Sequence, residues 1–371
     1  MSKKSLLALL LVAVMALSGC SLVMKDQEVD NLLTIIDVNG TLVNKQVFAN
    51  TYEYNLYIEQ YYASMLASFG GDGTVDTDAV LQSTIDTIIT SLVTSQKCAE
   101  LGFDQLTAED EAQVQADAQI AYEEELEYVK EYYFANTELS GEELEAAVAE
   151  QAAASGVTLE VMVENARATL ISDRLRASVT DLVTVTDEDI QTELDALIAE
   201  EKTGYENNLA AYGLAVNNST AAIYYTPAGY RTVKLIETTK PTEEGAEDTA
   251  KTEIEALAAR LQAGEAFDTL SETVATKVVC EVSTDLDAAI VDAAMRIPAA
   301  GEVSPVVETA TGYALIQYVE DVAENTVTLD EVRDSLYEGV LTEKQDSAYE
   351  EAVAAWIAEA DVKIYTENIN N

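Results

Sequence analysis

The chain contains no histidine in 371 residues. That absence removes Ser-His-Asp and Cys-His nucleophile arrangements and every histidine-ligated metal site. Cations are scarce as well: 20 Lys and Arg stand against 68 Asp and Glu, a net charge of −48. With no basic surface to neutralise phosphates, nucleic acid is excluded as a partner. The same charge opposes electrostatic docking on anionic lipid. Its first consequence is solubility and self-repulsion, with steering of basic client segments as a second. Three cysteines in so long a chain make no disulfide framework. Cys98 falls in a helical stretch and Cys280 in a strand-like one, which favours two buried free thiols over a pair. The EF-hand pattern D-x-[DN]-x-[DN]-G is also missing. Acid pairs such as Asp187 and Asp189 sit at a helix start, where they complement the dipole. No metal site and no cofactor is expected.

What is present begins with a targeting segment. Lys3 and Lys4 precede an apolar run at residues 6–17, too short for an ordinary membrane span and suited to a signal peptide. The run ends in Leu17-Ser18-Gly19-Cys20, a lipoprotein-type cleavage site. Cys20 is therefore expected to become a lipidated first residue, with an ordinary secretory signal as the alternative. Residues 1–19 then form the signal peptide and residues 20–31 a tether, the lipid holding the protein at the outer face of a membrane. Apolar residues make up 48% of the chain, enough for a sizeable core shared among two or three domains.

Residues 32–44 read as two β-type runs around Asn39-Gly40, a strong hairpin-turn signal, and Lys45 opens a helix. Helical periodicity then continues to residue 201. Apolar spacing marks a helix over residues 80–101, with Leu81, Ile85, Ile88, Ile89 and Leu92 on one face. Thr107 with Asp110 and Thr186 with Asp189 read as capping pairs, Ser140 with Glu143 as a third, and Thr158 as the start of another helix. Residues 203–228 read as a connector. Beyond it come an alternating strand at 230–238, an amphipathic helix at 246–261 stopped by Gly264, a strand at 277–282 and a short helix at 286–296. Residues 303–307 and 313–319 form two strands around a turn at 309–312, and Pro305 places the first at an edge or a strand start. Thr328 and Glu331 cap a last long helix to about residue 360, followed by a strand-like piece at 362–365.

The stretch G-E-V-S-P-V-V-E-T-A-T-G-Y-A-L-I at residues 301–316 resembles the C-terminal hairpin of parvulin-type peptidyl-prolyl isomerases, worded G-x-V-S-x-P-V-x-T-x-x-G-Y-H-I-I. Y-R-T-V-K-L-I at 230–236 is similar to the first parvulin strand, Y-R-x-V-K-H-I, and Gly264, Phe267 and Leu270 match G-x-x-F-x-x-L. Val38-Asn39-Gly40 behind a lipoprotein-type signal resembles the entry to SurA-type and PrsA-type foldases, and so does V-T-V-T-D-E-D-I at 183–190. The resemblance covers residues 32–365. It implies an α+β protein: a mostly helical SurA-like chaperone lobe formed by both chain ends (32–202 and 323–371). Inserted at 229–322 is a small parvulin-like α/β domain with an antiparallel sheet flanked by helices.

The departures bear on chemistry. Leu235 and Ala314 occupy the two positions that are histidine in the family, and the segment worded G-G-D-L-G is replaced by residues 283–289 without a glycine. Cys280 reads as a core cysteine, with replacement of the family's catalytic Cys or Asp as the alternative. Phe267, Met295 and Tyr313 are candidates for a proline cradle, with core packing as the alternative. No retained set makes a catalytic site. The 19 tyrosines, concentrated at 52–62, 122–133 and 205–230, either line a crevice for extended polypeptide or pack between helices. The implied function is a membrane-anchored, extracytoplasmic chaperone or foldase that holds unfolded exported polypeptides, with an inactive isomerase domain. The alternatives are an isomerase working without histidines and an envelope scaffold or binding lipoprotein.

Overall fold

The computed structural model describes residues 27–242 and 249–369. The signal segment, Cys20 and the beginning of the tether lie outside the described residues, as does the expected start of a helix at 246. The chain divides into two compact units, one drawn from Met1–Val183 and Gln345–Asn371, the other from Thr184–Lys344. Among the described residues no helix is long and apolar enough to cross a membrane.

The first unit opens with α1 (Gln27–Asn31), β1 (Thr34–Val38) and β2 (Thr41–Asn44). Asn39 adopts the left-handed conformation (φ 52°) that a tight hairpin turn requires, and Gly40 follows at φ 86°. The helices α2 (Lys45–Ser68), α3 (Thr77–Leu101), α4 (Ala108–Phe134), α5 (Glu142–Ala154) and α6 (Leu159–Thr180) follow. Their starts are chemically specified. The side chain of Asn44 accepts from the Val47 N–H, Asp76 caps α3, Thr107 and Asp110 close a reciprocal box, and Thr158 accepts from Val161. The start of α5 differs from expectation. Ser140 and Glu143 do not cap it; Gly141 stands at that position at φ 58° with no side-chain bond, and acids at Glu142, Glu143 and Glu145 complement the helix dipole instead.

The second unit contains α7 (Asp187–Asn207), α8 (Ala211–Asn218), β3 (Tyr225–Thr226), β4 (Arg231–Thr239), α9 (Thr249–Gln262), β5 (Ala275–Val279), α10 (Ala288–Arg296), β6 (Val307–Glu308), β7 (Gly312–Asp321) and β8 (Asn325–Thr326). The expected connector at 203–228 is thus largely structured: α7 continues to Asn207, and the apolar run around Tyr212 and Val216 forms α8. The main sheet is antiparallel, ordered β5-β4-β7-β6. Pro305 sits ahead of the edge strand β6, where a missing N–H costs no ladder bond. At Gly312 the pairing with β4 is so close that a Cβ would lie 1.7 Å from the Thr238 carbonyl oxygen.

The long α11 (Leu329–Glu359) begins in the second unit and ends in the first, leading to β9 (Val362–Ile364) and α12 (Thr366–Ile369). β9 adds to β1 antiparallel, with Ile36 opposite Ile364 and Val38 opposite Val362. Around the join, Asn39 N–H donates to the Asp361 carbonyl at 3.0 Å and the Asp361 N–H donates to Asn39 Oδ1 at 2.8 Å. Gln96 on α3 donates to the Val38 carbonyl and to Thr41 Oγ1, and accepts from Asn39 Nδ2. Beneath lies a core of Ile35, Ile36, Val38, Phe48, Ile85, Ile88, Ile89 and Val93, with Trp356, Ile357 and Val362 packed on it from the C-terminal end. Each such buried side chain contributes roughly 1.5–3 kcal/mol.

Asn39→Ala removes both the left-handed preference and the bonds to Asp361 and Gln96. It is expected to destabilise the first unit by about 1–3 kcal/mol in urea denaturation. Asn39→Gly restores the backbone freedom and should fall between the two. An unchanged midpoint for Asn39→Ala would show that this junction does not hold the chain ends together.

Candidate functional site

Each face of the main sheet has its own core. On one, Val233 and Leu235 from β4 and Ala314, Ile316 and Tyr318 from β7 pack against Ile290, Val291 and Ala294 of α10. On the other, Ile236, Tyr313 and Leu315 pack against Ala250 and Ile254 of α9, with Phe267 and Leu270 from the turn after it. This partition follows from the two-residue period of a strand, which sends neighbours to opposite faces.

The partition decides the fate of the sequence-expected cradle. Phe267 and Tyr313 meet in the α9 core, whereas Met295 is packed against the α10 core together with Leu235 and Ala314. The three residues do not line one pocket. Leu235 and Ala314 are on a common face, as a shared site would require, but they are 1% and 0% exposed beneath α10. Met295 borders a shallow cleft of about 420 Å³ with Glu281, Ser283, Val291, Asp292 and Arg296. There Arg296 pairs with Asp292 at 2.7 Å, and both are well exposed.

Cys280 is buried and unpaired, as is Cys98 in the first unit. The Cys280 thiol donates to the Leu209 carbonyl at 3.4 Å, and its backbone N–H donates to Ser283 Oγ at 3.0 Å. Around it stand Tyr205, Tyr212, Tyr225 and Tyr230, and the Tyr230 hydroxyl donates to the same Leu209 carbonyl. Burial pushes the Tyr205 phenol up to about 12 and raises that of Tyr230 as well. This third group of tyrosines is interior packing rather than a crevice. Among the described residues no cluster of three or more Cys, Asp and Glu is arranged to hold a metal ion.

The other two tyrosine groups behave differently. On α2, only Phe48 is buried. Tyr54, Tyr57, Tyr61, Tyr62, Met65, Leu66 and Phe69 are all exposed, Phe69 by 83%. Their helical spacing places them on one broad face. The N-terminal half of α2 is fixed to α3 by Asn55 Nδ2 donating to Thr84 Oγ1 at 3.0 Å, while beyond Ala63 every residue of the helix is exposed. The turn after α2 folds back on it. Gly73, at φ +68°, passes so near that a Cβ there would be 2.7 Å from the Ala67 Cβ. Between α2 and α3 opens a cleft of about 590 Å³, lined by Tyr54, Ile58, Tyr62, Val75, Ala79 and Val80 among others. On α4, Tyr128, Tyr132 and Tyr133 are also exposed but contact one another, Tyr128 stacked on Tyr132 with centroids 5.9 Å apart and Tyr132 edge-to-face with Tyr133 at 4.9 Å. Tyr133, at the end of α4, is 54% exposed.

In sequence these aromatic residues form similar clusters, with no letter that separates an open face from a packed one. Periodicity records that a face is apolar, not whether a partner covers it. The α2 face can do what a continuous exposed apolar surface with hydroxyl tips does, namely accept apolar side chains of another polypeptide.

No family model matches the chain, and no curated protein matches it. Among solved structures it is similar along most of its length to one of the SurA-like chaperones PEB4 and Cj1289 of Campylobacter jejuni. The identity is 11%, covering 89% of this chain and 98% of that one, with a TM-score of 0.32. It is likewise similar to PrsA from Bacillus subtilis, at 16% identity over 92% and 99% of the two chains and a TM-score of 0.21. For the foldase PrsA from Streptococcus pneumoniae the values are 16%, 91%, 98% and 0.22. Scores this low support no argument about site or activity.

Two measurements check the placement of the buried groups. In a Cys20→Ser protein, neither Cys98 nor Cys280 should react with a thiol reagent until the chain is unfolded; fast labelling of Cys280 in the native state would contradict its position in the tyrosine core. Spectrophotometric titration should show late-ionising phenols, one of them near pH 12 and lost in Tyr205→Phe. Because unfolded tyrosine ionises near ~10, the stability that these neutral phenols contribute is complete below about pH 10 and is lost as the pH rises toward 12. A flat stability profile across that window would contradict the account.

Proposed function

We propose that the chain is an extracytoplasmic holding chaperone, anchored through Cys20, that retains unfolded exported polypeptides. Its parvulin-like segment at 229–322 serves as a fold without isomerase chemistry. The single observation that carries this reading is the uncovered apolar face of α2 with its adjoining cleft. A contiguous apolar surface of that kind is costly to leave in water unless it has a use, and reversible capture of exposed client side chains is such a use. The surrounding acidic charge keeps the complex soluble.

The isomerase half of the reading rests on Leu235 and Ala314. Lowering the roughly 20 kcal/mol barrier to X-Pro rotation requires a site that admits the prolyl ring and holds the twisted imide. At these two positions there are core side chains beneath a helix, and the nearest open cleft carries Met295 and an Asp292–Arg296 ion pair. The Cys280 thiol donates to the Leu209 backbone carbonyl, in a setting that favours packing over nucleophilic use. The lipid anchor at Cys20 and the division into a chaperone lobe and an inserted domain remain expectations from the sequence.

The test is a paired assay on the purified protein: suppression of aggregation of a reduced, unfolded client, and cis-trans isomerisation of an X-Pro peptide. Holding without isomerisation is the expected result. Replacement of Tyr57, Tyr61, Met65 and Phe69 by serine should weaken holding by about tenfold or more while leaving stability within about 0.5 kcal/mol, since none of the four is buried. Isomerisation above the uncatalysed rate would make the protein an enzyme despite its missing histidines. Absence of both activities would favour an envelope scaffold.

A further inference from the structure

The charge around the α2 face is of one sign. From residue 46 to residue 96 there is no Lys or Arg, whereas Glu53, Glu59, Asp72, Asp76, Asp78 and Asp86 all fall within that stretch. None of these six carboxylates is in an ion pair among the described residues. Glu59 and Asp76 line the cleft between α2 and α3, and Asp86 lines an adjoining hollow on α3 that shares Ala79, Ser83 and Thr87 with it. Elsewhere in the first unit some acids do have cationic partners: on α4, Glu111, Asp110 and Glu127 are held by Arg167, Arg174 and Lys130, the first two cations from α6.

We infer that the α2–α3 hairpin selects basic apolar segments of unfolded polypeptide, in which Lys or Arg alternates with aromatic or branched side chains. This inference rests on the holding function proposed above and names the class of client. The apolar face supplies contact area, while the carboxylates of this cation-free stretch, with Glu59 and Asp76 at the cleft and Asp86 in the adjoining hollow, raise the local concentration of cationic segments and disfavour acidic ones. Basic stems suit the surface for a second reason: the methylenes of Lys and Arg lie along aromatic rings while their charged ends reach a carboxylate. A second copy of this chain is disfavoured as occupant, because it would bring the same uncompensated acids against these.

The experiment compares two short labelled peptides, identical except that one carries Lys and the other Glu between Leu and Phe residues, by fluorescence anisotropy with the purified protein. The Lys peptide should bind about tenfold more tightly at low salt, and that advantage should fall by about tenfold between roughly 50 and 500 mM NaCl. The variant Glu53→Gln/Glu59→Gln/Asp72→Asn/Asp86→Asn removes four exposed charges from a net −48. It should nevertheless abolish most of the preference. The matched variant Glu123→Gln/Glu124→Gln/Glu125→Gln/Glu131→Gln on α4 makes the same change in net charge and should leave the preference intact.

Equal binding of the two peptides, or a preference lost only in the α4 variant, overturns the inference. So does a dimer in sedimentation that the serine-substituted α2 face dissociates, since that gives the face to a second copy. Aggregation suppression of an acidic unfolded client separates the two levels. If the α2 charge variant still holds that client and no peptide preference exists, the selection fails alone. If the serine-substituted face holds it as well as the native protein, the holding site itself is wrong.

Discussion

The return of β9 to β1 is the constraint on which the rest of this architecture depends. β1 is a central strand with β2 on one side, and Ile36 and Val38 are opposed by Ile364 and Val362 on the other. Without the C-terminal strand, the Asn39 turn would lose its bonds to Asp361, and Ile35, Ile36 and Phe48 would lose the cover of Trp356 and Ile357. The two ends are joined in one small sheet, and residues 184–344, which form the second compact unit, lie between them in the chain. The α2–α3 hairpin is anchored at the same place. Lys45 follows β2 directly, and Gln96 on α3 bonds to the β1–β2 turn. The sheet thus fixes the base of both helices and leaves the far end of α2 to project its apolar face.

Chemistry is distributed unevenly between the units. In the second unit, the polar groups that could suggest a site are engaged in building the fold. Arg231 donates to the carbonyls of Ala294, Met295 and Ile297 at the end of α10, and Asn217 bonds both the N–H and the C=O of Val278 at the free edge of β5. Such a side chain on an edge strand protects it from pairing with another chain. In the first unit the feature left unengaged is the open apolar surface of α2. That open surface is the basis for the proposal of a holding chaperone.

Much of the fold was legible because it is specified locally. Asn39-Gly40, Thr107 with Asp110 and Thr186 with Asp189 each satisfy backbone groups within a few residues, so their roles are written in adjacent letters. At Ser140 and Glu143 the pattern misleads, because the helix begins one residue later, with Gly141 at a positive φ in the N-cap position and no side chain to cap it. The helix at 211–218 was read as a connector because Gly and Asn within it are weak helix formers. Its apolar face against β5 and the tyrosine core overrides that preference. The candidate site was less legible. Whether Phe267, Met295 and Tyr313 share a pocket depends on which face of the sheet each reaches, and that follows from register across three separated elements. The open face of α2 has the same apolar letters as a buried helix; only packing distinguishes them.

The central claim is that client polypeptide contacts α2 rather than residues 229–322. Site-specific photocrosslinking tests it most directly, with a photoreactive side chain placed at position 61 on α2 or, separately, at position 295 beside the α10 cleft, and a reduced, unfolded client present. The account predicts adducts from position 61 that an excess of unlabelled client competes away, and none from position 295. Adducts from position 295 alone would move the working site to the second unit and contradict it.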